Sequence, residues 1–339
     1  MEFIHELFRP FYSETGEPNN ITAALIWIAL IPVRQFFWLD ERIGWPYLLS
    51  AALLAIAVYF FGSHADRSAT RGLRGCLSYL FPRSLYLHPS SRLDYWFYVV
   101  NRIFMAFALL PILLLSEWTS AKILVLLKPF VSDKPTAISS PLAPWLYSFA
   151  ILLAFDFGAY VAHYLQHRVR FLWEFHKSHH SARVLTPITV YRVHPIDDVL
   201  NTLLPTTLAG VVDGVLTALI PGAKPGITVF ELNIFFFIFY LVGFNLRHSH
   251  VWLDYGRLVS RLLISPAQHQ IHHSDQPKHF DRNFGYVFAF WDWIFGTLYL
   301  PHGPESLTFG LGEAENDHYN TVKRLYFVPF FKAFWRKKS

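Results

Sequence analysis

Cysteine and charged residues are both scarce in this sequence of 339 residues. The single cysteine, Cys76, excludes a disulfide framework and also excludes a metal site built from several thiolates. Charged residues make up 16% of the chain, whereas soluble domains carry about 25%. Hydrophobic residues reach 53%, and the mean hydropathy is positive, at +0.29. This composition is typical of a protein with several membrane-spanning helices.

The first twenty residues lack the pattern of a secretory signal. They contain acidic residues and no basic region ahead of an apolar core, so we expect an interfacial segment and no cleavable signal peptide. The net charge of +5 is modest, and the basic residues lie in loops beside apolar runs. This distribution favours an anionic membrane surface over nucleic acid as a partner.

Several apolar runs have the length of membrane-spanning helices, which need about 20 residues. They are separated by loops rich in arginine, proline or glycine, and they predict an all-α, polytopic integral membrane helix bundle. The last two runs are expected to form a helical hairpin around Pro221-Gly222. The predicted spans are 21–39, 46–61, 95–116, 142–163, 199–220 and 227–247.

The positive charges indicate an orientation. If the arginine-rich loop 62–94 is cytosolic, the spans that follow bring residues 163–180 and 269–273 to that same side. The basic C-terminus, 336–338, agrees with this assignment, whereas the loop 117–141 opposes it weakly. We therefore expect a multi-pass protein with a cytosolic cap, in the inner membrane of a bacterium or in the endoplasmic reticulum of a eukaryote.

Histidines are concentrated in three short patterns within that cap. Residues 160–181 carry an HxxxH and an HxxHH pattern, and a second HxxHH follows at 269–273. A random order of the same residues would give about 0.04 HxxHH patterns, so two are unlikely to arise by chance. Spacings of three and four place side chains on one face of a helix. The histidines of the three patterns are His163, His167, His176, His179, His180, His269, His272 and His273.

Imidazoles with few carboxylates suit iron, zinc or copper, whereas calcium and magnesium prefer oxygen ligands. Eight imidazoles exceed what one ion binds, so the patterns predict a di-metal site. Two redox-active ions close together suggest oxygen activation. The alternative is that these are solvated histidines at the membrane interface.

The order HxxxH, HxxHH, HxxHH resembles the fatty acid hydroxylase superfamily, which includes sterol desaturases and alkylglycerol monooxygenase. Three shorter segments are also similar to that family. They are the RVHP segment 192–195 with Asp197 after it, the segment FNLRHSHV at 244–251, and the NFG and WDWIFGT signatures at 283–285 and 291–297.

The resemblance implies a membrane-bound, non-haem di-iron enzyme that uses O₂ to hydroxylate or desaturate a C–H bond of a lipid. The substrate is expected to be a sterol, a fatty-acyl lipid or a related membrane lipid, and zinc is expected to replace iron on some purifications. The catalytic domain is expected at 85–300, after N-terminal segments at 1–84 and before a cytosolic tail at 301–339. Its expected catalytic residues are the eight histidines of the three patterns.

The resemblance extends the candidate ligands to His248 and His194. The alternatives are an interfacial histidine at His248 and a loop-capping histidine at His194. Around the ligands, Asp156 could orient His163, or it could serve helix packing beside Arg102. His250 and Asp292 are further candidates for contacting the ligands from outside, and Asp292 could instead cap a helix. Five aromatic residues are candidates for lining a dry cavity or for ordinary packing: Phe155, Phe157, Phe171, Trp173 and Phe175.

Electron-transfer motifs are lacking. The sequence has no HPGG segment of a cytochrome b5 domain, no glycine-rich dinucleotide turn and no CxxC pair. We therefore expect a separate electron donor, such as a reductase, a ferredoxin or a cytochrome b5-like protein. Two other functions stay open, namely a histidine-rich membrane metal transporter and a non-catalytic scaffold of the same fold.

Overall fold

Most of the described chain is helical, as the sequence predicts, and within it the only sheet is a two-stranded hairpin. Three sequence-based expectations, at 1–20, at Pro221-Gly222 and at 336–338, lie outside the described residues. The residues that the computed structural model describes are 21–39, 41–62, 72–108, 110–130, 141–220 and 226–335.

Several of the connections between the helices contain a 3₁₀ turn, and the longest described ones lie between α12 and α14. The hairpin consists of β1 and β2, in which Thr228 pairs with Asn233 and Val229 with Leu232. The elements are α1 Ile21–Arg34, α2 Trp45–Phe61, α3 Leu73–Leu80, α4 Arg83–Tyr86, α5 Pro89–Ala108, α6 Leu110–Leu127, α7 Ala143–Arg168, α8 Arg170–His180, α9 Pro195–Leu219, β1 Thr228–Val229, β2 Leu232–Asn233, α10 Ile234–Leu241, α11 Gly256–Val259, α12 Pro266–His272, α13 Phe290–Ile294, α14 Glu313–Asn316 and α15 Val322–Trp335.

Two of the described helices, α7 and α9, are long and apolar enough to cross a membrane. They have 26 and 25 residues, and the mean hydropathy of their apolar windows is 1.5. Each has a proline in its first turn, where the missing N–H costs no hydrogen bond. Helix α2 is also apolar but has 17 residues. The chain thus has candidate membrane spans, and the number of passes stays a prediction.

Helices α6 and α7 both pack closely against α9. Glycines permit this approach: a Cβ atom on Gly158 would lie 2.6 Å from the Cα atom of Pro205, and one on Gly210 would lie 2.5 Å from the Ser116 carbonyl oxygen. Since α7 carries His163 and His167, this packing fixes the helix from which the first histidine pattern projects.

The membrane span predicted at 227–247 is wrong. The residues form the β1–β2 hairpin and then α10, which has only eight residues. Phe230 and Glu231 adopt positive φ in the hairpin turn, and Gly243 with φ of 107° follows the helix. The span predicted at 95–116 also differs, because α5 covers Pro89–Ala108 and α6 continues to Leu127.

The end of α8 is held by a buried cation. The Arg192 guanidinium donates to the Asp94 carboxylate at 2.8 Å, to the Ser178 carbonyl at 3.0 Å and to the Ser181 hydroxyl at 2.8 Å. Helix α15 packs over the same helix. Arg192 and α15 therefore hold the C-terminal end of α8, which carries the histidines, in place.

Candidate metal centre

Five histidines form the first of two clusters. Helix α7 contributes His163 and His167, α8 contributes His176 and His180, and α12 contributes His272. One ring nitrogen from each lies within 4.8 Å of those of the others. Three helices thus bring five imidazoles to one point.

Four histidines form the second cluster, and one ring nitrogen from each again lies within 4.8 Å of those of the others. His179 comes from α8 and His269 from α12, with His273 at the C-terminal cap of α12. His248 lies in the segment after α10 and completes the set. All four are buried, and so are the α8 and α12 histidines of the first cluster.

Each HxxHH pattern is divided between the two clusters. In a helix of 3.6 residues per turn, a side chain four residues on is rotated by about 40° around the helix axis from the first side chain. A side chain three residues on is rotated by about 60° in the opposite direction. His176 and His180 therefore face one cluster while His179 faces the other. The imidazole rings of His180 and His273 stack at 4.7 Å across the boundary, so the clusters adjoin.

In the first cluster, Nδ1 atoms are held by groups outside it. The Nδ1 of His163 lies 2.9 Å from the Phe284 carbonyl oxygen, that of His272 lies 2.8 Å from the Arg282 carbonyl oxygen, and that of His176 lies 3.1 Å from the Asp197 carboxylate. Donation from Nδ1 leaves a lone pair on Nε2. The Nε2 atoms of His167, His176, His180 and His272 are buried and have no hydrogen-bond partner.

In the second cluster, three Nε2 atoms form a triangle. Those of His248 and His273 are 3.0 Å apart, those of His248 and His269 are 3.1 Å apart, and those of His269 and His273 are 3.2 Å apart. A hydrogen bond between two ring nitrogens needs one protonated and one unprotonated nitrogen. At least two of the three nitrogens are in the same protonation state, so the three contacts cannot all be hydrogen bonds. Nitrogens bound to one ion at about 2.0–2.1 Å would be about 3 Å apart in an octahedron and about 3.4 Å apart in a tetrahedron.

Burial keeps these imidazoles neutral. It lowers the pKa of His179 to about 3, and with the neighbouring histidines it holds the pKa of His180, His248 and His273 well below the ordinary value. Neutral imidazoles are the form that binds metal ions. The convergent ring nitrogens fit two metal ions, one at each cluster. In the first cluster buried Nε2 atoms without hydrogen-bond partners converge, and in the second three Nε2 atoms lie at the spacing of ligands on one ion. The donor set favours iron, zinc or copper over calcium or magnesium.

Two of the predicted histidines lie outside both clusters. Nδ1 of His194 accepts from the Ile196 N–H at the start of α9, and its Nε2 lies 3.1 Å from the Tyr326 carbonyl oxygen. His250 places Nε2 2.7 Å from the Tyr79 carbonyl oxygen. His194 thus occupies the capping position considered as its alternative, and His250 contacts another loop.

The two carboxylates expected to orient histidines contact backbone N–H groups and side chains other than histidine. Asp156 accepts hydrogen bonds from the N–H groups of Val287 and Phe288 and from the Trp291 indole. Asp292 accepts from the N–H groups of Phe284 and Gly285 at 2.8 Å each. They fix the loop whose Phe284 carbonyl holds His163, so their effect on the histidines is indirect. Arg102, considered as a partner of Asp156, pairs with Asp198 at 2.8 Å.

The contact that sequence reasoning missed is between Asp197 and His176. The motif that contains Asp197 was visible, but its partner lies 21 positions away and on another helix. Arg282 and Phe284 were also missed, because they act through carbonyl groups that any residue carries. The Asp281 carboxylate, 3.7 Å from Nδ1 of His167, is another group outside the cluster that lies beside a histidine Nδ1 atom.

Two cavities reach the clusters. The first, of about 360 Å³, is lined by histidines of both clusters and by Phe155, Ala159 and Phe244, among others. The second, of about 530 Å³, is lined by His167, His180, His272 and Trp173 together with acidic groups. Of the aromatic residues proposed as lining, Phe155 and Trp173 face cavities, whereas Phe157 packs on Trp291, and Phe171 and Phe175 pack on each other.

Known proteins resemble this chain in the region of the clusters. Residues 148–297 match the family model of fatty acid hydroxylase. Ornithine lipid hydroxylase from Rhizobium tropici is 30% identical over 49% of this chain and 47% of its own length. Alkylglycerol monooxygenase from Danio rerio is 28% identical over 57% of this chain and 40% of its own length.

A third relative, a delta(7)-sterol 5(6)-desaturase from Aspergillus fumigatus, is 28% identical over 47% of this chain and 50% of its own length. The matches therefore span half or less of these relatives. No solved structure matches this chain.

Proposed function

Because this chain belongs to the fatty acid hydroxylase superfamily, we propose that it is a membrane-bound di-iron oxygenase that hydroxylates or desaturates a membrane lipid. Its relatives are named as lipid hydroxylases, lipid monooxygenases and a sterol desaturase, and all of these oxidise lipids. The observation that carries the proposal is the pair of adjoining histidine clusters, each with convergent ring nitrogens and each with buried ring nitrogens that have no hydrogen-bond partner.

Iron bound at these clusters would supply the oxidising power of O₂ to an unactivated C–H bond. For hydroxylation, O₂, two electrons and two protons convert one C–H bond to C–OH and release one water. For desaturation, the same inputs remove two hydrogens from neighbouring carbons and release two waters. The protein would hold the ions through His163, His167, His176, His180 and His272 at one site and His179, His248, His269 and His273 at the other.

The residues around the first cavity would bind the lipid and exclude water. Phe155, Ala159 and His163 are spaced four apart on α7, so an apolar stripe leads from the histidines along the candidate membrane span. A hydrocarbon chain placed there would present its C–H bonds to the clusters without bulk water. The histidines lie at the C-terminal end of α7, and Asp197 lies at the N-terminal end of α9, so the site occupies one face of the membrane, which we propose is cytosolic.

The test is lipid profiling by mass spectrometry in cells that express the wild-type chain or His179→Ala. We expect lipids that have gained one oxygen atom or lost two hydrogen atoms with the wild-type chain only. Identical lipid profiles in both strains, with iron in the wild-type protein and with a compatible donor present, would favour a scaffold or a metal transporter instead.

A further inference from the structure

The first cavity has charged residues in its wall as well as histidines and apolar side chains. Glu41 and Arg42 come from the segment between α1 and α2, Arg247 comes from the segment after α10, and Asp198 comes from α9. Asp198 has a partner, because Arg102 donates to it at 2.8 Å. The other three have no ion-pair partner among the described residues.

No carboxylate among the described residues lies within ion-pair distance of the Arg42 guanidinium, although Glu41 and Asp198 act on it from farther away. Its guanidinium lies 5.3 Å from the centre of the Tyr191 ring, and its backbone carbonyl accepts from the Asn245 amide at 2.9 Å. Asn245 lies three residues before the metal-cluster residue His248. Arg42 is therefore a fixed cation at the edge of the metal site.

Arg247 is buried and faces aromatic rings, with the Phe239 ring centre at 4.7 Å and the Phe244 ring centre at 5.1 Å. It donates to the carbonyl groups of Ile264 and Tyr286. No carboxylate among the described residues forms an ion pair with it. Two guanidinium groups thus line the same cavity, and neither forms an ion pair with a carboxylate of the described residues.

Glu41 supplies the opposite charge at another point of the wall. Its carboxylate accepts from the Gln35 amide at 2.7 Å and from the Tyr191 hydroxyl at 3.4 Å, and both donors are neutral. It is not within ion-pair distance of Arg42, although the two are neighbours in sequence. The cavity wall therefore presents positive and negative groups that influence one another but are not in direct contact, so a ligand can bind to each of them.

Unpaired charges in a partly dry cavity are costly, and a ligand with matching charges removes that cost. Resting on the function proposed above, we propose that the substrate is an amphiphile with a zwitterionic headgroup: its anionic group binds Arg42 and Arg247, its cationic group binds Glu41, and its hydrocarbon chain follows Phe155 and Ala159. A sterol or another lipid with an uncharged headgroup would bring no opposite charge into contact with any of the three.

Binding can be measured apart from catalysis. The full chain, purified in a non-ionic detergent and loaded with redox-inert Zn²⁺, is titrated with N-dodecanoyl-lysine, which carries a carboxylate and an ammonium group. The comparison ligands are N-dodecanoyl-glycine, which is anionic, and monododecanoylglycerol, which is neutral. The variants are Arg42→Gln, Glu41→Gln and the control Arg257→Gln, which changes an exposed residue of α11 outside the cavity wall.

We expect N-dodecanoyl-lysine to bind at least about 10-fold more tightly than the neutral lipid, since hydrogen bonds to charged groups contribute that much or more. Arg42→Gln should weaken both charged ligands about 10-fold. Glu41→Gln should weaken only N-dodecanoyl-lysine, a difference that general misfolding would not produce. Arg257→Gln should change none of the three affinities.

Equal affinities for the charged and neutral ligands, or Arg42→Gln without effect on either charged ligand, would overturn the proposed headgroup. Such a result would leave the oxygenase function untouched, because the zinc-loaded protein performs no turnover. Conversely, selective binding together with unchanged lipid profiles in expressing cells would overturn the oxygenase function and retain the headgroup.

Discussion

At His179, helix α8 changes from one cluster to the other, while the residues on either side of it in the pattern, His176 and His180, remain with the first. The outer contacts are just as specific, since a carboxylate or a carbonyl group holds the Nδ1 atoms of His163, His176 and His272. At the scale of single residues, the site is therefore defined by which ring nitrogen is held and which is left free.

Asp197→Asn should weaken metal binding at the first cluster. The asparagine carbonyl can still accept from His176 Nδ1, but it lacks the negative charge that makes the imidazole a better donor to the metal. We expect the metal affinity of this cluster to fall about 10- to 100-fold, with a larger fall for Asp197→Leu. Metal titration in the presence of a competing chelator measures this.

Asp198→Asn is the matched control, because Asp198 pairs with Arg102 and contacts none of the cluster histidines. Asp198→Asn should bind metal as tightly as the wild-type protein. If Asp197→Leu also did so, Asp197 would not position His176.

The metal-free protein should lose stability as the pH falls below about 6.5. Burial lowers the folded-state pKa of His179 to about 3 and lowers those of His272 and His273 as well, so the unfolded chain binds more protons than the folded chain in this window. Stability contributed by the neutral imidazoles is present above pH 6.5 and is lost as the pH falls towards those lowered values. The melting temperature in detergent should therefore change little from pH 7.5 to about 6.5 and drop from there to pH 5.5, and a flat profile would contradict the burial of these groups.

At the scale of elements, two close helix contacts place the first histidine pattern. Helix α7 carries His163 and His167 near its C-terminal end, and five residues before His163 it touches α9 at Gly158. Helix α9 begins two residues before Asp197, which holds His176. The packing of α7 on α9 thus sets the distance between the first histidine pattern and the second.

Gly158→Ala should separate these helices. The added Cβ atom would lie 2.6 Å and 2.8 Å from the Cα and N atoms of Pro205, and backbone atoms cannot move aside as a side chain can. We expect a loss of about 1–3 kcal/mol of stability, read from thermal unfolding, and weaker metal binding at the first cluster. Gly303→Ala, where the added atom meets nothing within 4 Å, should have little effect on either. A fully stable Gly158→Ala variant would show that the contact is not needed.

The sequence patterns predicted the helices that bear histidines, because spacings of three and four have one meaning on a helix. They did not predict the division of each pattern between two clusters, nor the partners of Asp156 and Asp197, because those contacts join segments far apart in the chain. The run 234–241 shows a second limit: its phenylalanines read as part of a long apolar helix, whereas the turn at Phe230 and Glu231 and the positive φ of Gly243 confine it to eight residues.

At the scale of the whole molecule, both cavities reach the first cluster, but their walls have different compositions. The first combines apolar and charged residues with histidines of both clusters, and the second has a more acidic wall that includes Asp275, Asp281 and Glu315. Together with the apolar helices α7 and α9, this arrangement suits an enzyme that takes a lipid from the membrane and receives electrons from the aqueous side.

The purified chain should need a separate electron donor. With iron, a lipid extract, O₂ and NADH alone, we expect no oxidised lipid, because the sequence lacks motifs for dinucleotide, haem or iron–sulfur binding. Addition of a ferredoxin with its reductase, or of a cytochrome b5 system, should start turnover, measured by O₂ consumption and product formation. Turnover with NADH alone would contradict this account of electron supply.

The most direct measurement of the central claim is metal content with Mössbauer spectroscopy, on protein purified from cells grown with abundant iron. We predict two irons per chain with an exchange-coupled signal. His272→Ala should empty the first cluster and His179→Ala the second, each leaving about one iron without the coupled signal, while His250→Ala, outside both clusters, should keep two. A wild-type chain that binds one iron or none after reconstitution, or two irons retained in both cluster variants, would contradict the di-iron site.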